Sequence, residues 1–497
     1  MSHHKKYNLI NIAERAMSFH GLESFFTDEV LDQLSSITCT ASETSDQIKD
    51  LRHLMWCSID NDDSMDLDQI TYTEHTETGN FKVFVAVADV DALVKKDTPI
   101  DQHAKLNTTS IYTGVKLFPM LPEKLSTDLT SLSAAEDRLA MVIEMDISQK
   151  GEVIESDVYR AKVRNQAKLD YNSVAPWLEQ NGPLPLAASK VAGLDKQLLL
   201  QNEVAQKLRA VRNNYGALEL ETIQPRAIMK NDSVIGMQDD PKNRAHELIE
   251  DLMIAANSST AKFLIEKGYP SLRRVVRSPK RWERIVQVAH SLGERLPDKP
   301  DSKALSEFML KRKEADPLRF PDISLTIVKL LGRGEYVLEM PGEPAIGHFG
   351  LAVTDYSHST APNRRFPDLI TQRLVKAALA KQSSPYNPSE LINLAGHCTK
   401  QENSADKVER QVRKSASALL LINKIGQEYE GLVTGASDKG TWARIFSPIV
   451  EGKISKGQRN LDVGDKVILK LISVNVEKGF IDFENLRYTH RNLNFLL

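Results

Sequence analysis

The sequence has little cysteine: Cys39, Cys57 and Cys398 are the three among 497 residues. They are odd in number, far apart and form no CxxC pair, so neither a disulfide framework nor a thiolate metal site is indicated, and a reducing compartment fits. Long apolar runs are also lacking. No stretch approaches the ~18 to 20 residues of a membrane span, and the polar start, residues 1–7, lacks the flanks of a signal peptide. A cytoplasmic protein without membrane contact is the expectation. Neither sign of charge dominates, since 64 Lys and Arg face 67 Asp and Glu for a net charge of -3. That excludes a polycation coating nucleic acid over its whole surface and leaves room for a local basic channel. No GxxxxGK[ST] loop occurs, so a nucleoside triphosphate partner is not expected. No Ser/His/Asp or Cys/His arrangement has a supporting context either.

With 41% hydrophobic and 26% charged residues the chain is an ordinary folded one. At about 150 residues per domain its length suggests roughly three units. Leu9, Ile12, Ala13, Ala16 and Phe19 or His20 follow helical spacing, and a second helix starting at Thr27 or Asp28 carries Val30, Leu31 and Leu34. Residues 38–50 are polar and aperiodic, as in a linker. Further on, strand patterns such as residues 81–90 alternate with helical ones such as 247–267 and 369–380. After Gly426 the texture changes to short strands at 429–436, 441–446, 467–476 and 480–483, separated by Gly, Asp and Lys turns. The expected fold class is α+β: a short helical region over 1–55, a large mixed α/β domain over 56–424, and a five-stranded OB-type barrel over 425–497.

The densest chemical signal is the run SIDNDDSMDLDQI at residues 58–70, with Asp60, Asp62, Asp63, Asp66 and Asp68 inside nine positions. Clustered carboxylates repel one another, so such a run is either solvated or neutralised by a cation, and all-oxygen ligands select hard ions such as Mg²⁺ or Mn²⁺. In an extended segment Asp66 and Asp68 share a face, and a loop can bring Asp60 back towards them. An EF-hand loop does not fit, because Met65 and Thr71 occupy the positions that need Gly and Glu. A solvated acidic turn is the plain alternative, against which Ile59, Leu67 and Ile70 interleave as core anchors.

A second segment, residues 358–368, sets Arg364 and Arg365 between Pro362 and Pro367 ahead of a helical pattern. Guanidinium groups match phosphate oxygens in a bidentate way; the alternative is a surface loop with a helix cap at Asp368. Residues 267–284 hold seven Lys or Arg against Glu283, either a phosphate track or a solvated helix face. In the barrel, Trp442, Arg444 and Phe446 alternate along one strand and share a face. That arrangement suits base stacking and phosphate contact, or else barrel core.

In order and spacing, the run SIDNDDSMDLDQI, then VFVAVADVDALV, IYTGVKLFPMLPEKLSTDLTSL, LDYNSVAPWLE, IEDLMIAAN, HFGLAVTDYSHSTAPNRRFPDLITQRL and the barrel resemble the ribonuclease II and ribonuclease R family over residues 51–490. The resemblance implies a processive 3'-to-5' exoribonuclease that hydrolyses single-stranded RNA to nucleoside 5'-monophosphates with Mg²⁺ or Mn²⁺. The family's four-aspartate signature falls on Asp60, Asp66, Asp68 and Gln69. It implies a metal site of Asp60, Asp66, Asp68 and Gln69, with Asp66 positioning the terminal nucleotide and Asp68 essential for hydrolysis. Gln69 departs from the pattern and keeps an amide oxygen in place of a carboxylate. The resemblance puts Arg364 on the scissile phosphate with Arg365 beside it, and Tyr112 and Tyr171 on the terminal nucleotides. The family's second stacking aromatic has no counterpart in Pro225-Arg226-Ala227-Ile228. Family members usually carry two cold-shock barrels ahead of the catalytic domain, whereas residues 1–55 are too short for one barrel of ~70 residues. The competing expectation is an RNA-binding regulatory protein on the same fold, its metal site weakened by Gln69. Against it stands the joint presence of Asp60, Asp66, Asp68 and Arg364, since unneutralised aspartates repel phosphate.

Overall fold

The apolar alternation of the middle region builds a seven-stranded sheet. The computed structural model describes residues 7–489 except 224, 231–232, 240, 318, 438–439 and 462. The sheet contains β1 (Lys49–Asp50), β2 (Cys57–Asp60), β3 (Gln69–His75), β4 (Phe81–Ala88), β7 (Asp137–Ile147), β8 (Val153–Arg164) and β9 (Ala167–Asp170), in the order β1-β8-β7-β4-β3-β2-β9. The central pairs are antiparallel, while β1 joins β8 and β9 joins β2 in parallel. β4, FKVFVAVA, is buried at every position but Lys82, as a strand is when neither face meets water. Helix α6 (Leu194–Asn214) lies against β3, and α7 (Arg244–Glu266) against β4, β7 and β8. The polar stretch 38–50 ends as β1 at the sheet edge rather than as linker throughout, because Lys49 and Asp50 align with Ala161 and Lys162 of β8.

Around this core lie α3 (Pro99–Asn107), the hairpin β5 (Ile111–Tyr112) and β6 (Leu117–Phe118), α4 (Tyr171–Leu178), α5 (Leu186–Ser189) and the hairpin β10 (Arg226–Lys230) and β11 (Ser233–Gln238). Then come β12 (Ser271–Val275), paired with β13 (Glu335–Glu339), and a satellite of α8 (Trp282–Ser291), α9 (Ser302–Ala315) and α10 (Phe320–Leu331) with its own core of Trp282, Ile285, Phe308 and Phe320. α11 (Phe366–Leu379) is buried on nearly all sides, and α12 (Pro388–Leu421), 34 residues long, runs from the sheet region to the barrel. The N-terminal helices form as the spacing predicts, α1 at Leu9–Phe19 and α2 at Asp28–Ser36.

The barrel closes from β14 (Glu428–Ser437), β15 (Gly440–Phe446), β16 (Ile449–Lys456), β17 (Lys466–Asn475) and β18 (Phe480–Thr489), in the order β14-β15-β16-β18-β17 with β16 and β18 parallel, the five-stranded OB arrangement. β16 escaped the sequence reading because one of its inward positions is Gly452. A Cβ there would lie 2.5 Å from the Phe483 ring, so the apolar alternation breaks where the packing is tightest.

The basic run 267–284 divides: Lys267, Lys280, Arg281 and Arg284 are exposed about the ends of α7 and α8, whereas the arginines between them are drawn into ion pairs. Arg273, 1% exposed on β12, pairs with Glu339 and Asp355. Arg274 pairs with Glu402 and covers the Tyr336 ring, and Arg277 pairs with Glu335. The acidic partners sit on β13, on α12 and at Asp355, remote in sequence, which is why the run read as a net charge.

Candidate active site

The aspartate run is the connection from β2 to β3, and its shape is set by hydrogen bonds. Asp60 Oδ1 accepts from the Asn61 amide at 2.8 Å and the Ser64 hydroxyl at 2.9 Å, closing a turn that leaves Asp62 and Asp63 exposed. Ser131 Oγ donates to the Met65 carbonyl at 2.7 Å and accepts from the Leu67 amide at 3.1 Å. The Leu67 carbonyl then accepts from Leu132 N, and that of Asp68 from Ala88 N, both at 2.9 Å. With Ile59 and Leu67 buried as anchors, both ends of the segment are held, and only its tip at Asp62 and Asp63 is a solvated turn.

Asp68 is 1% exposed. Its Oδ1 accepts from the Asn363 amide at 2.9 Å and its Oδ2 from Arg364 Nε at 2.8 Å. Burial pushes its carboxyl up to about 7; Arg364 opposes the rise and Asp66 adds to it. Burial also raises Asp66, against a hydrogen bond from Tyr112 and the charge of Arg364, with Asp60 adding repulsion. Tyr112 Oη donates to Asp66 Oδ2 at 2.9 Å, and the Tyr112 amide donates to Glu409 of α12 at 3.0 Å. Burial and the Asp60 charge raise the Tyr171 hydroxyl, with Arg364 opposing. Asp60, Asp66, Asp68, Tyr112, Tyr171 and Arg364 therefore share one electrostatic site. Gln69 opens β3 beside them, 9% exposed and opposite Val87.

The two arginines divide. Arg364 keeps 41% of its side chain exposed, spends Nε on Asp68, and takes no protein acceptor at Nη1 or Nη2 among the described residues. Arg365 has an internal partner: its Nη2 donates to Asp368 at 2.8 Å. The alternative reading, a helix cap at Asp368, is not what forms, since Arg365 holds the cap position of α11. Asp368 lies inside the first turn of α11 and accepts from the Ala361 amide at 2.9 Å as well, tightening the loop that presents Arg364. The Arg364 carbonyl accepts from Ser110 N and from Thr109 Oγ1, tying that loop to the chain ahead of β5.

On the barrel, β15 places Trp442, Arg444 and Phe446 on its outer face, with Thr441, Ala443 and Ile445 inside. Phe446 is 43% exposed and Trp442 partly so. Arg444 has an internal partner that the sequence did not show: Asp322 of α10 holds its Nη1 and Nη2 at 2.9 and 3.1 Å, which joins the barrel to the satellite helices.

Sequence reasoning missed His246 and Asn243. The His246 ring stacks on Tyr171, centroids 3.8 Å apart and planes at 16°. Asn243 caps α7, its Oδ1 lying 2.9 Å from His246 Nδ1 and its Nδ2 donating to the Tyr171 carbonyl at 3.4 Å. An Asn at a helix start is a readable cap, but nothing local in the sequence links it to Tyr171, 72 residues away.

Among the described residues no three His, Cys, Asp or Glu converge as ready ion ligands. Asp60 nonetheless adds to the electrostatic cost of ionised Asp66 beside a buried Asp68, and a cation would relieve it. Mg²⁺ is commonly held by one or two carboxylates completed by water and substrate phosphate, not by an all-protein cage. The donor set fits an ion of that kind.

Residues 48–381 match the RNB domain, and residues 427–486 match the RNase II-type exonuclease C-terminal S1 domain. Ribonuclease R of Escherichia coli (strain K12) is 30% identical over 472 residues, covering 87% of this chain and 57% of the relative. The chain thus spans less than two thirds of that relative's length. The Mycoplasma genitalium RNase R structure in complex with ribose methylated single-stranded RNA superposes with a TM-score of 0.86 at 23% identity, over 96% of this chain and 78% of that one. Yeast Ssd1, described as a pseudonuclease, reaches 0.72 at 15% identity, over 93% and 58%. The match of two thirds of the chain to the RNB domain, followed by the S1 barrel, shows that this chain belongs to the RNB-domain family of ribonuclease R-like proteins.

Proposed function

We propose that the chain is a metal-dependent 3'-to-5' exoribonuclease that hydrolyses single-stranded RNA to nucleoside 5'-monophosphates in the cytoplasm. Arg364 carries this reading: a half-exposed guanidinium, anchored at Nε by a buried aspartate, leaves its two amino groups beside a carboxylate pair. A fork fixed at one end is preorganised for two oxygens of a phosphate, where charge grows during hydrolysis. Asp68 acts by holding that fork and by lending negative charge to the site. Tyr112 and Tyr171 take the terminal nucleotides, and Trp442 and Phe446 offer rings to upstream bases on the barrel's outer face. Bound Mg²⁺ or Mn²⁺ would polarise the phosphoryl oxygen and lower the pKa of the attacking water, with Asp60 and Asp66 as carboxylate donors and Gln69 as a neutral one. In this reading residues 1–55 are a helical N-terminal region, 56–424 the hydrolytic domain and 425–497 the RNA-holding barrel; of the last, residues 490–497 lie outside the described residues.

Gln69 supports a second reading, a protein that binds RNA without cutting it, because the fourth position of the aspartate signature carries no charge. The test is 5'-labelled RNA with an accessible 3' end, incubated with purified protein and Mg²⁺ or Mn²⁺. Shortening from the 3' end that stops in excess EDTA is expected. Full hydrolysis in EDTA overturns metal dependence, and bound but intact RNA with both ions favours the binding protein.

A further inference from the structure

One face of α1 is divided between two hydrophobic clusters. Leu9 and Ile12 belong to the cluster that fills the barrel, with Val433, Ile445, Leu469 and Phe483. Ala13, Ala16 and Met17 belong to a separate one with Ile111 and Phe118 of the β5–β6 hairpin and Ala405, Val408 and Val412 of α12. Polar contacts repeat the division. Arg15 pairs with Glu477, between β17 and β18, at 2.5 Å, whereas Glu14 pairs with Lys116 of the hairpin at 2.8 Å. Just beyond the helix, Glu23 and Asn107 exchange two hydrogen bonds of 2.9 Å, and Gln401 of α12 donates to the Gly21 carbonyl.

The hairpin needs such support. Its strands are two residues each, far below what holds a hairpin by itself, so neighbours set its position. Those neighbours are α12, through the Glu409 carboxylate at the Tyr112 amide and the Val408 and Val412 side chains, the Arg364 loop at Ser110, and α1, whose Met17 is fully buried. At the tip of this arrangement the Tyr112 hydroxyl meets Asp66 at 2.9 Å. A hydrogen bond of that length does not survive a shift of about an ångström.

We propose that α1 is a positioning strut, spanning from the barrel to the β5–β6 hairpin, that places Tyr112 over the carboxylate site and so sets how the last nucleotides of an RNA are held. The functional half rests on the reading of Tyr112 under Proposed function; the mechanical half does not. Met17 is the positioning residue, acting through the hairpin and touching no substrate.

The experiment compares Met17→Ala with Met17→Leu, which keeps the volume, on preparations whose melts show them folded. If Met17→Ala fails to fold, Met17→Val takes its place. Hydrogen exchange at residues 110–119 is expected to speed at least ~10-fold in Met17→Ala and to return towards wild type in Met17→Leu; unchanged hairpin protection overturns the strut. In RNA digestion, Met17→Ala and Tyr112→Ala should each lengthen the end products, and the double variant should match Tyr112→Ala alone, because both act through one ring. Independent, additive effects overturn the coupling, as does a normal product ladder with only a lowered melting temperature. Should the wild-type protein cleave no RNA, the exoribonuclease activity alone is overturned and the exchange comparison still decides the strut.

Discussion

At Asp68, burial and charge pull in opposite directions, and the geometry resolves them by spending one oxygen on the Asn363 amide and the other on Arg364. Asp68→Asn keeps one acceptor and offers an NH2 where the other oxygen was, so Arg364 or Asn363 loses its partner while packing barely changes. The expected outcome is a loss of at least ~100-fold in single-turnover cleavage, about 2.7 kcal/mol in the barrier. RNA affinity should hold or rise, since a carboxylate near phosphate is gone. Melts, anisotropy binding and cleavage on one preparation check this, and near wild-type turnover sinks the role of Asp68. His246 works through Tyr171. His246→Ala should alter the shortest products more than overall affinity, and His246→Phe should restore them, because a stacking platform is worth ~1 to 3 kcal/mol per base. A normal ladder in His246→Ala would leave the stacked pair a packing feature. The aspartates were legible because they crowd nine residues, whereas Arg364 and Arg365 were not separable: adjacent and chemically identical, they diverge through the path of their loop.

Among the elements, strand alternation placed Trp442, Arg444 and Phe446 on one face correctly, since side chains on a strand alternate whatever surrounds it. It could not show that α10 covers part of that face. Asp322 is 3% exposed; burial raises its carboxyl against the pull of Arg444. Removing one partner of a buried pair strands the other. Asp322→Ala is expected to cost ~3 to 5 kcal/mol in urea unfolding, with Asp322→Ala/Arg444→Ala recovering a good part of it. Equal costs for the single and double variants would show that the pair contributes little beyond the space it fills.

Over the whole molecule, stability carries a titration signature. Burial lowers His103 and His348 to about 4 and holds His358 well below its ordinary value. Each is neutral when folded and titrates near ~6.5 when unfolded. Between those values the unfolded chain binds more protons, so each histidine's contribution is fully present above about 6.5 and is lost as the pH falls towards 4. Asp68 and Asp251, raised by burial to about 7 and about 6, act in the opposite sense, so a single histidine is best isolated by difference. His103→Gln should lose less melting temperature between pH 7.5 and 5 than the wild type does, checked by calorimetry at matched ionic strength. An identical loss in both would show that His103 takes up its proton in the folded state.

The sequence by itself determined what is local: the phases of α1 and α2, the near-continuous apolar run of β4 and the alternation of β15, the crowding of Asp60, Asp66 and Asp68, and the motif order that marks the family. These depend on neighbours within a few residues, where period and residue chemistry suffice. Tertiary structure alone decided which charges meet. Asp68 finds Arg364 across 296 positions, Arg444 finds Asp322 across 122, and His246 finds Tyr171 through a helix cap. A charge in sequence is only a capacity for pairing. The sheet, the arginine loop and the docked barrel determine whether an arginine is spent on an internal carboxylate or left open to a phosphate.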